Sequence, residues 1–251
     1  MLFHDPLTLA VIVVAVVLVG LAKGGFAGFG ALATPLLATV LPPAQAAALL
    51  LPILIAQDVI GVWNFRRDWD RWIVAWMLPG ALIGVALGWV YAASVDERAL
   101  MTVLGALTFG FGVWRLAATR KGRVVIASRS PGWVGSLFGV FTGFASQIAH
   151  AGGPPFQMWV APRGLVHLRF AATQSVLFAL LNLAKLPAFA NLGAFTRPVL
   201  TTAAALMPLA IASTLLGLWL IRRVESARFY AIVYWLMIAL GVRLMWQGLE
   251  G

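Results

Sequence analysis

The chain has 251 residues, of which 62% are hydrophobic and only 10% charged, with a mean hydropathy of +0.94; these values exclude an ordinary soluble domain and point to a polytopic membrane protein. The net charge of +10 does not signal nucleic acid, because the basic residues sit in short loops between apolar runs, where orientation against the cytoplasmic face accounts for them. With no cysteine, disulfides, thiolate metal sites and cysteine nucleophiles are excluded together.

Residues 1–6 (MLFHDP) carry no Lys or Arg and lead into no cleavable small-residue site, so the opening apolar run is expected to remain in the mature protein. That run, 7–22, meets Lys23 and a glycine-rich break (GGFAGFG) before a second apolar arm at 31–41. A bilayer core of about 30 Å takes roughly 20 helical residues, so the whole segment is too long for one crossing and too short for two comfortable ones. It reads as a helical hairpin broken at membrane depth, which lipid tolerates only where protein buries the break or the break lines a polar cavity. Apolar runs follow at 44–65, 72–93 and 99–118, then a polar connection at 120–130 (RKGRVVIASRS). Beyond it come 133–149, a second break (HAGGPP), 155–161, 166–190, 199–221 and 229–247.

The two halves correspond. A shift of 129 carries Pro79 onto Pro208, Gly88 onto Gly217 and Gly112 onto Gly241, and upstream a shift of about 120 carries Pro35 onto Pro155. Each half thus opens on a broken apolar segment, the strongest sequence pointer to a transporter site. Eight simple spans would divide the loop Lys and Arg residues ten to six, whereas re-entrant opening hairpins divide them thirteen to three, with Arg98, Arg197 and Arg243 alone on the minority side. The sharper bias favours the hairpins. Three crossings per half then make the repeats inverted. The expected architecture is an all-α integral membrane protein of two inverted repeats, each a re-entrant helical hairpin plus three transmembrane helices, with eight-span threading as the alternative. The expected units are a first repeat at 1–119, a cytoplasmic linker at 120–131 and a second repeat at 132–251. Trp63, Trp69 and Trp72 around the basic loop, and Trp133 after the linker, mark headgroup levels.

The segments KGGFAGFGALATPLL, AGGPP, FAATQSVLFALLNLAKLPAF and PGALIGVALG together resemble the TauE/SafE family of sulfite exporters and related anion transporters, over essentially the whole chain. The resemblance implies a multi-pass carrier of two homologous halves, located in the cell inner membrane, whose substrate is sulfite, an organosulfonate or a similar small sulfur-containing anion. In the second break, Gln147, His150 and two prolines stand where the family has a more purely glycine and small-residue turn.

An anion in a low-dielectric cavity is stabilised by helix N-termini, through unpaired N–H groups and the macrodipole. Gly152, Gly153, Pro154 and Pro155 suit such a tip, and Gly24, Gly25, Gly28 and Gly30 are its counterpart or, equally, small residues for helix packing. Lys185 lies inside an apolar run, with Asn182 one turn earlier and Gln174 farther back. An intramembrane lysine either faces a cavity or snorkels to the interface. Lys23 stands at the edge of the first break. The expected substrate-binding set is therefore Lys185, Asn182, Gln174, Gln147, Gly152, Gly153, Pro154, Gly24, Gly25 and Lys23, with the two tips meeting near the midplane. Asp58 and His150 are expected as a coupling or structural charge, with Ser146, Gln157 and Thr34 as uncharged donors. The expected partners are a small anion and the bilayer, with no nucleic acid; a coupling proton or sodium ion and a homo-oligomer remain open.

Three histidines and eight acidic residues form no metal-ligand cluster, and neither a nucleophile elbow nor a Walker pattern occurs. No metal or cofactor is expected, nor an enzyme, and an intramembrane enzyme or a scaffold fits poorly. A passive anion channel is the competing reading, because helix N-termini around a narrow path serve conduction too.

Overall fold

The computed structural model describes residues 5–23, 29–94, 96–120, 130–220 and 227–250. Gly24, Gly25 and the greater part of the 120–131 linker lie outside the described residues.

The chain is all-helical among those residues: α1 (Pro6–Lys23), α2 (Gly30–Leu37), α3 (Pro43–Phe65), α4 (Arg71–Ser94), α5 (Glu97–Arg120), α6 (Gly132–Ala149), α7 (Gly153–Val160), α8 (His167–Asn191), α9 (Arg197–Leu220) and α10 (Ala227–Glu250), with a single 3-10 turn at Ala161–Arg163. A long helix, a short helix and three long helices therefore occur twice in the same order. Prolines mark several starts: Pro43 opens α3, and Pro154 and Pro155 occupy the first turn of α7, where a missing N–H costs nothing. Five helices, α1, α3, α4, α8 and α9, are long and apolar enough to cross a membrane. The protein is a multi-pass membrane protein, and its outer surface carries apolar side chains such as Val59, Val90 and Phe141, all highly exposed, as a lipid-facing surface requires.

The opening hairpins have unequal arms, as the apolar run lengths predict. Their first arms, α1 and α6, have 18 residues each, and their second arms, α2 and α7, have 8. Eighteen residues rise about 27 Å, so each long arm reaches most of the way through a hydrocarbon core. In the second hairpin the arms nonetheless begin and end together. After the 3-10 turn, Arg163 Nη2 donates to the Ser130 carbonyl at 2.6 Å, and its guanidinium lies 3.9 Å from the Trp159 ring and 4.7 Å from that of Trp72. Burial here lowers the Arg163 pKa from its ordinary value, and Asp70 opposes the shift. Arg169 pairs with Asp70 at 3.1 Å at the same end. The basic loop after α3 and the starts of α6 and α8 are thus gathered at one end of the bundle. At the other end Gly248 meets the carbonyl of Arg98.

Close helix pairs build the interior. α4 runs parallel to α6, with Gly80 against Ser136, Gly84 against Val140 and Gly88 against Phe144 and Gln147; from the other side Gly139 and Gly143 face Met77 and Ala81. A Cβ at Gly84 or Gly143 would fall onto a carbonyl of the facing helix, so glycine sets the interhelical distance, as small residues do in lipid, where apolar burial alone does not drive association. α1 packs on α9 as α6 packs on α4, with Gly20 against Ser213. The sequence shifts of 129 and about 120 carry Gly84 onto Ser213 and Gly20 onto Val140, so the contact between α4 and α6 recurs between α9 and α1. α5 and α10 are antiparallel, with Gly105 near Met245 and Gly112 near Tyr234. At the centre α3 and α8 are antiparallel: Phe65 clusters with Ala171 and Ala172, and Asp58 meets Asn182.

Candidate functional site

The end of α1, the middle of α3, the break between α6 and α7 and the first half of α8 enclose a cavity of about 80 Å³, room for a few water-sized molecules. Its wall includes Lys23, Gly30, Ser146, His150, Gly153, Pro154, Gln157, Gln174, Ser175 and Asn182. One buried ion pair braces it. Lys23 Nζ donates to Asp58 Oδ1, and Asn182 Nδ2 donates to Asp58 Oδ2 at 2.6 Å. Asp58 is 4% exposed and Asn182 2%. Both carboxylate oxygens are thereby held by donors, as a buried charge requires, and the pair ties α1 to α3 and α8.

Across the cavity, several polar atoms have no hydrogen-bond partner among the described residues: Gln157 Nε2, Ser146 Oγ, Ser175 Oγ and Gln174 Oε1. The first three belong to side chains at 5% exposure or less. Unpaired buried donors cost about 1–3 kcal/mol each, and their convergence on one cavity wall leaves that wall able to hydrogen-bond a polar guest. Gln157 Nε2 lies beside the first turn of α7, 3.8 Å from where a Cβ on Gly153 would sit. Pro154 and Pro155 have no N–H, so this turn offers little backbone N–H of its own, and the glutamine amide and the serine hydroxyls carry the donor capacity there.

His150 closes α6 in the left-handed region, at φ 50°, with its N–H on the Ser146 carbonyl and the Ala151 N–H on the Ala145 carbonyl. This cap position normally takes glycine, and a histidine placed there is held by its side chain. His150 Nε2 lies 2.9 Å from the Ala47 carbonyl, Nδ1 lies 2.9 Å from Lys185 Nζ, and the ring stacks on Phe189 at 6.1 Å. Lys185 is wholly buried and also donates to the Ser146 carbonyl at 3.1 Å. It sits behind the cavity wall, not on it, and does not snorkel. The break is cushioned by Gly152, where a Cβ would meet the Thr142 carbonyl and the Phe178 ring. Lys23 and Gly30, which flank the first break, line this cavity together with His150, Gly153 and Pro154 of the second, while Lys23 bonds α3 at Asp58 and His150 bonds it at Ala47, about three turns away.

A second cavity, of about 300 Å³, lies beyond this layer and is lined by Gln45, Ala47, Leu104, Gln147, Phe189 and Thr196 among others. The first cavity meets α3 at its midpoint, Leu54, and α8 from Phe170 to Asn182, whereas the second meets the start of α3 at Pro43 to Ala47 and the end of α8 at Phe189. Gln147 faces the second cavity, its Oε1 without a partner among the described residues. The septum between them is His150, Lys185 and Phe189.

The structure therefore brings Lys23, Asn182, Gln174, Gly153, Pro154 and His150 around one cavity and sets Gly152, Lys185 and Asp58 just behind it. It places Gln147 on the other side of the septum. Thr34 is buried, its hydroxyl without a partner among the described residues, and lines neither cavity. Sequence reading missed Ser175. The signal was available, because Ala171, Gln174, Ser175, Phe178 and Asn182 recur at helical spacing and so share one face of α8. Among the described residues no group of His and acidic side chains could hold a metal ion.

No curated relative and no solved structure matches the chain. A family model described as Sulfite exporter TauE/SafE matches residues 12–244, nearly the whole length, and its matched region contains every cavity-lining residue named above. The chain belongs to the TauE/SafE sulfite exporters, a family of membrane transporters.

Proposed function

We propose that the protein is a secondary transporter that carries a small sulfur-containing anion, sulfite or an organosulfonate, by alternating access across the cell inner membrane. The observation that carries this reading is the first cavity: a lysine on one side and, on the other, three buried donors without a partner among the described residues, Gln157 Nε2, Ser146 Oγ and Ser175 Oγ. Such a wall suits an oxyanion, which brings several acceptor oxygens and no donors of its own when fully ionised. Lys185 adds positive potential from behind the wall, and Asn182 orients Asp58 so that Lys23 stays at the cavity edge. The two cavities, set at successive levels along α3 and α8 and divided by one layer of side chains, support alternation: opening one side and closing the other needs only that layer and its hairpins to move.

The repeated element order and the recurrence of the Gly84 and Val140 contact at Ser213 and Gly20 support two homologous repeats, 1–119 and 132–251. The antiparallel pairing of α3 with α8 supports their inversion. Basic residues gathered at the Arg163 end support a cytoplasmic location for that end.

The test is uptake into proteoliposomes with labelled sulfite, sulfate, thiosulfate and a set of organosulfonates. Saturable uptake of at least one of these sulfur anions, absent from protein-free vesicles, is expected. A folded, inserted protein that moves none of them would end the transport reading.

A further inference from the structure

Lys185 has an unusual set of neighbours for a wholly buried cation. Among the described residues its ammonium nitrogen has two acceptors, the Ser146 carbonyl and His150 Nδ1. The histidine's state follows from its own partners. The Ala47 carbonyl can only accept, so His150 Nε2 carries a hydrogen and donates it, and Nδ1 is then the lone-pair side that receives Lys185. Two acceptors match the two N–H bonds of a neutral amine, whereas an ammonium has three. Among the described residues no carboxylate pairs with it. Asp58 is the only buried acidic side chain among the described residues, and its two oxygens are taken by Lys23 and Asn182.

The charges facing this pair from the surrounding elements are few. α1 brings Lys23 and α3 brings Asp58, which cancel. α6 brings His150 itself, and α7 has no titratable side chain. On α4, Arg71 lies exposed at one end beside Trp69, and Tyr91 packs on Phe144. A charged Lys185 is therefore an uncompensated positive charge in the interior, a costly state. The groups that hold its nitrogen, Ser146 and His150, also line the first cavity. An anion in that cavity supplies the missing counter-charge.

We propose that the Lys185–His150 pair binds one proton together with each anion, which makes transport proton-coupled. This rests on the anion-transport reading above and names its coupling ion. The proton completes the Lys185 ammonium, which continues to donate to His150 Nδ1, while His150 keeps its single hydrogen on Nε2. The pair lies in the septum between the two cavities, so a proton taken from one side leaves to the other when the septum opens. Because the coupling is reciprocal, the proton tightens the anion as much as the anion tightens the proton.

The test is titration calorimetry on the purified protein in buffers of different ionisation enthalpy. The probes are thiosulfate and methanesulfonate, whose own charges do not change near neutral pH, so any proton taken up belongs to the protein. For whichever probe binds, uptake of about one proton per anion is expected, with Kd weakening by up to about tenfold per pH unit on the alkaline side. In proteoliposomes the same anion entering down its gradient should make the lumen more acidic, as a trapped pH dye reads. Lys185→Met should bind more weakly and take up no proton. Anion binding by the wild-type protein with no proton uptake and a pH-independent Kd would overturn the proposal and leave the transport reading standing, and so would full proton uptake by Lys185→Met. These wild-type measurements do not depend on the variant folding. Failure of every sulfur anion in the uptake panel would instead remove the transport reading, and this inference with it.

Discussion

Gln157 shows how a stability cost and a binding capacity can be one atom. Its Nε2 is buried, aimed at the cavity beside the first turn of α7, and without a partner among the described residues. Gln157→Leu keeps most of the volume while removing the unpaired donor. The apparent melting temperature in detergent should stay the same or rise, because an unsatisfied buried group no longer has to be desolvated. The KM for the carried anion should rise by about tenfold or more, since a hydrogen bond to a charged group contributes about 1.5–3 kcal/mol. A lower melting temperature with unchanged KM would show Gln157 to be ordinary packing. Lys23, Asp58, Asn182 and Lys185 were each visible in the sequence as polar residues in apolar runs, and all four are central here. Their pairing was not visible. Asp58 meets partners 35 residues before it and 124 after it, and no local pattern encodes such distances. Nor does a periodic pattern reveal that Lys185 turns away from the cavity, since that depends on where the α6 carbonyls end.

At the scale of elements, apolar run length recovered every long helix, because a bilayer-sized helix needs a continuous apolar stretch. The short arms shifted: 31–41 became Gly30–Leu37, and 155–161 became Gly153–Val160. Glycine and proline at the breaks told where the chain turns, but not how far each arm extends. The interhelical contacts give the next expectation. Gly143 sits where a Cβ would overlap the Ala81 carbonyl, whereas a Cβ at Gly110 on α5 meets nothing within 4 Å. Gly143→Val should therefore push α4 away from α6 and destabilise the bundle by roughly 1–3 kcal/mol or more, and Gly110→Ala should be neutral or stabilising by up to about 1 kcal/mol. Thermal unfolding of the two purified variants, read alongside the wild type by circular dichroism, checks both. Equal effects would mean that α4 and α6 are not held at the separation described.

For the whole molecule, the question is whether the two cavities are joined by turns or at once. The arrangement favours turns: the cavities lie at successive levels along α3 and α8, and His150, stacked on Phe189 and bonded to Ala47 and Lys185, fills the layer between them. If that layer opens to one side at a time, flux must saturate, and external anion should accelerate the exit of labelled internal anion. A continuous pore would pass unitary currents far above any carrier cycle, because conduction needs no rearrangement for each ion. Gly153→Leu is the informative variant. The Gly153 backbone has ordinary helical geometry and a Cβ there would meet only Gln157 Nε2, at 3.8 Å, so the fold accommodates the first carbon while the rest of the side chain enters the cavity. Melting behaviour close to wild type, with exchange reduced by at least about tenfold, is expected if the anion occupies that space, since a lost charge-assisted contact alone is of that size. Single-channel openings from the wild-type protein, or undiminished exchange by folded Gly153→Leu, would show that the anion does not pass through this cavity by alternating access.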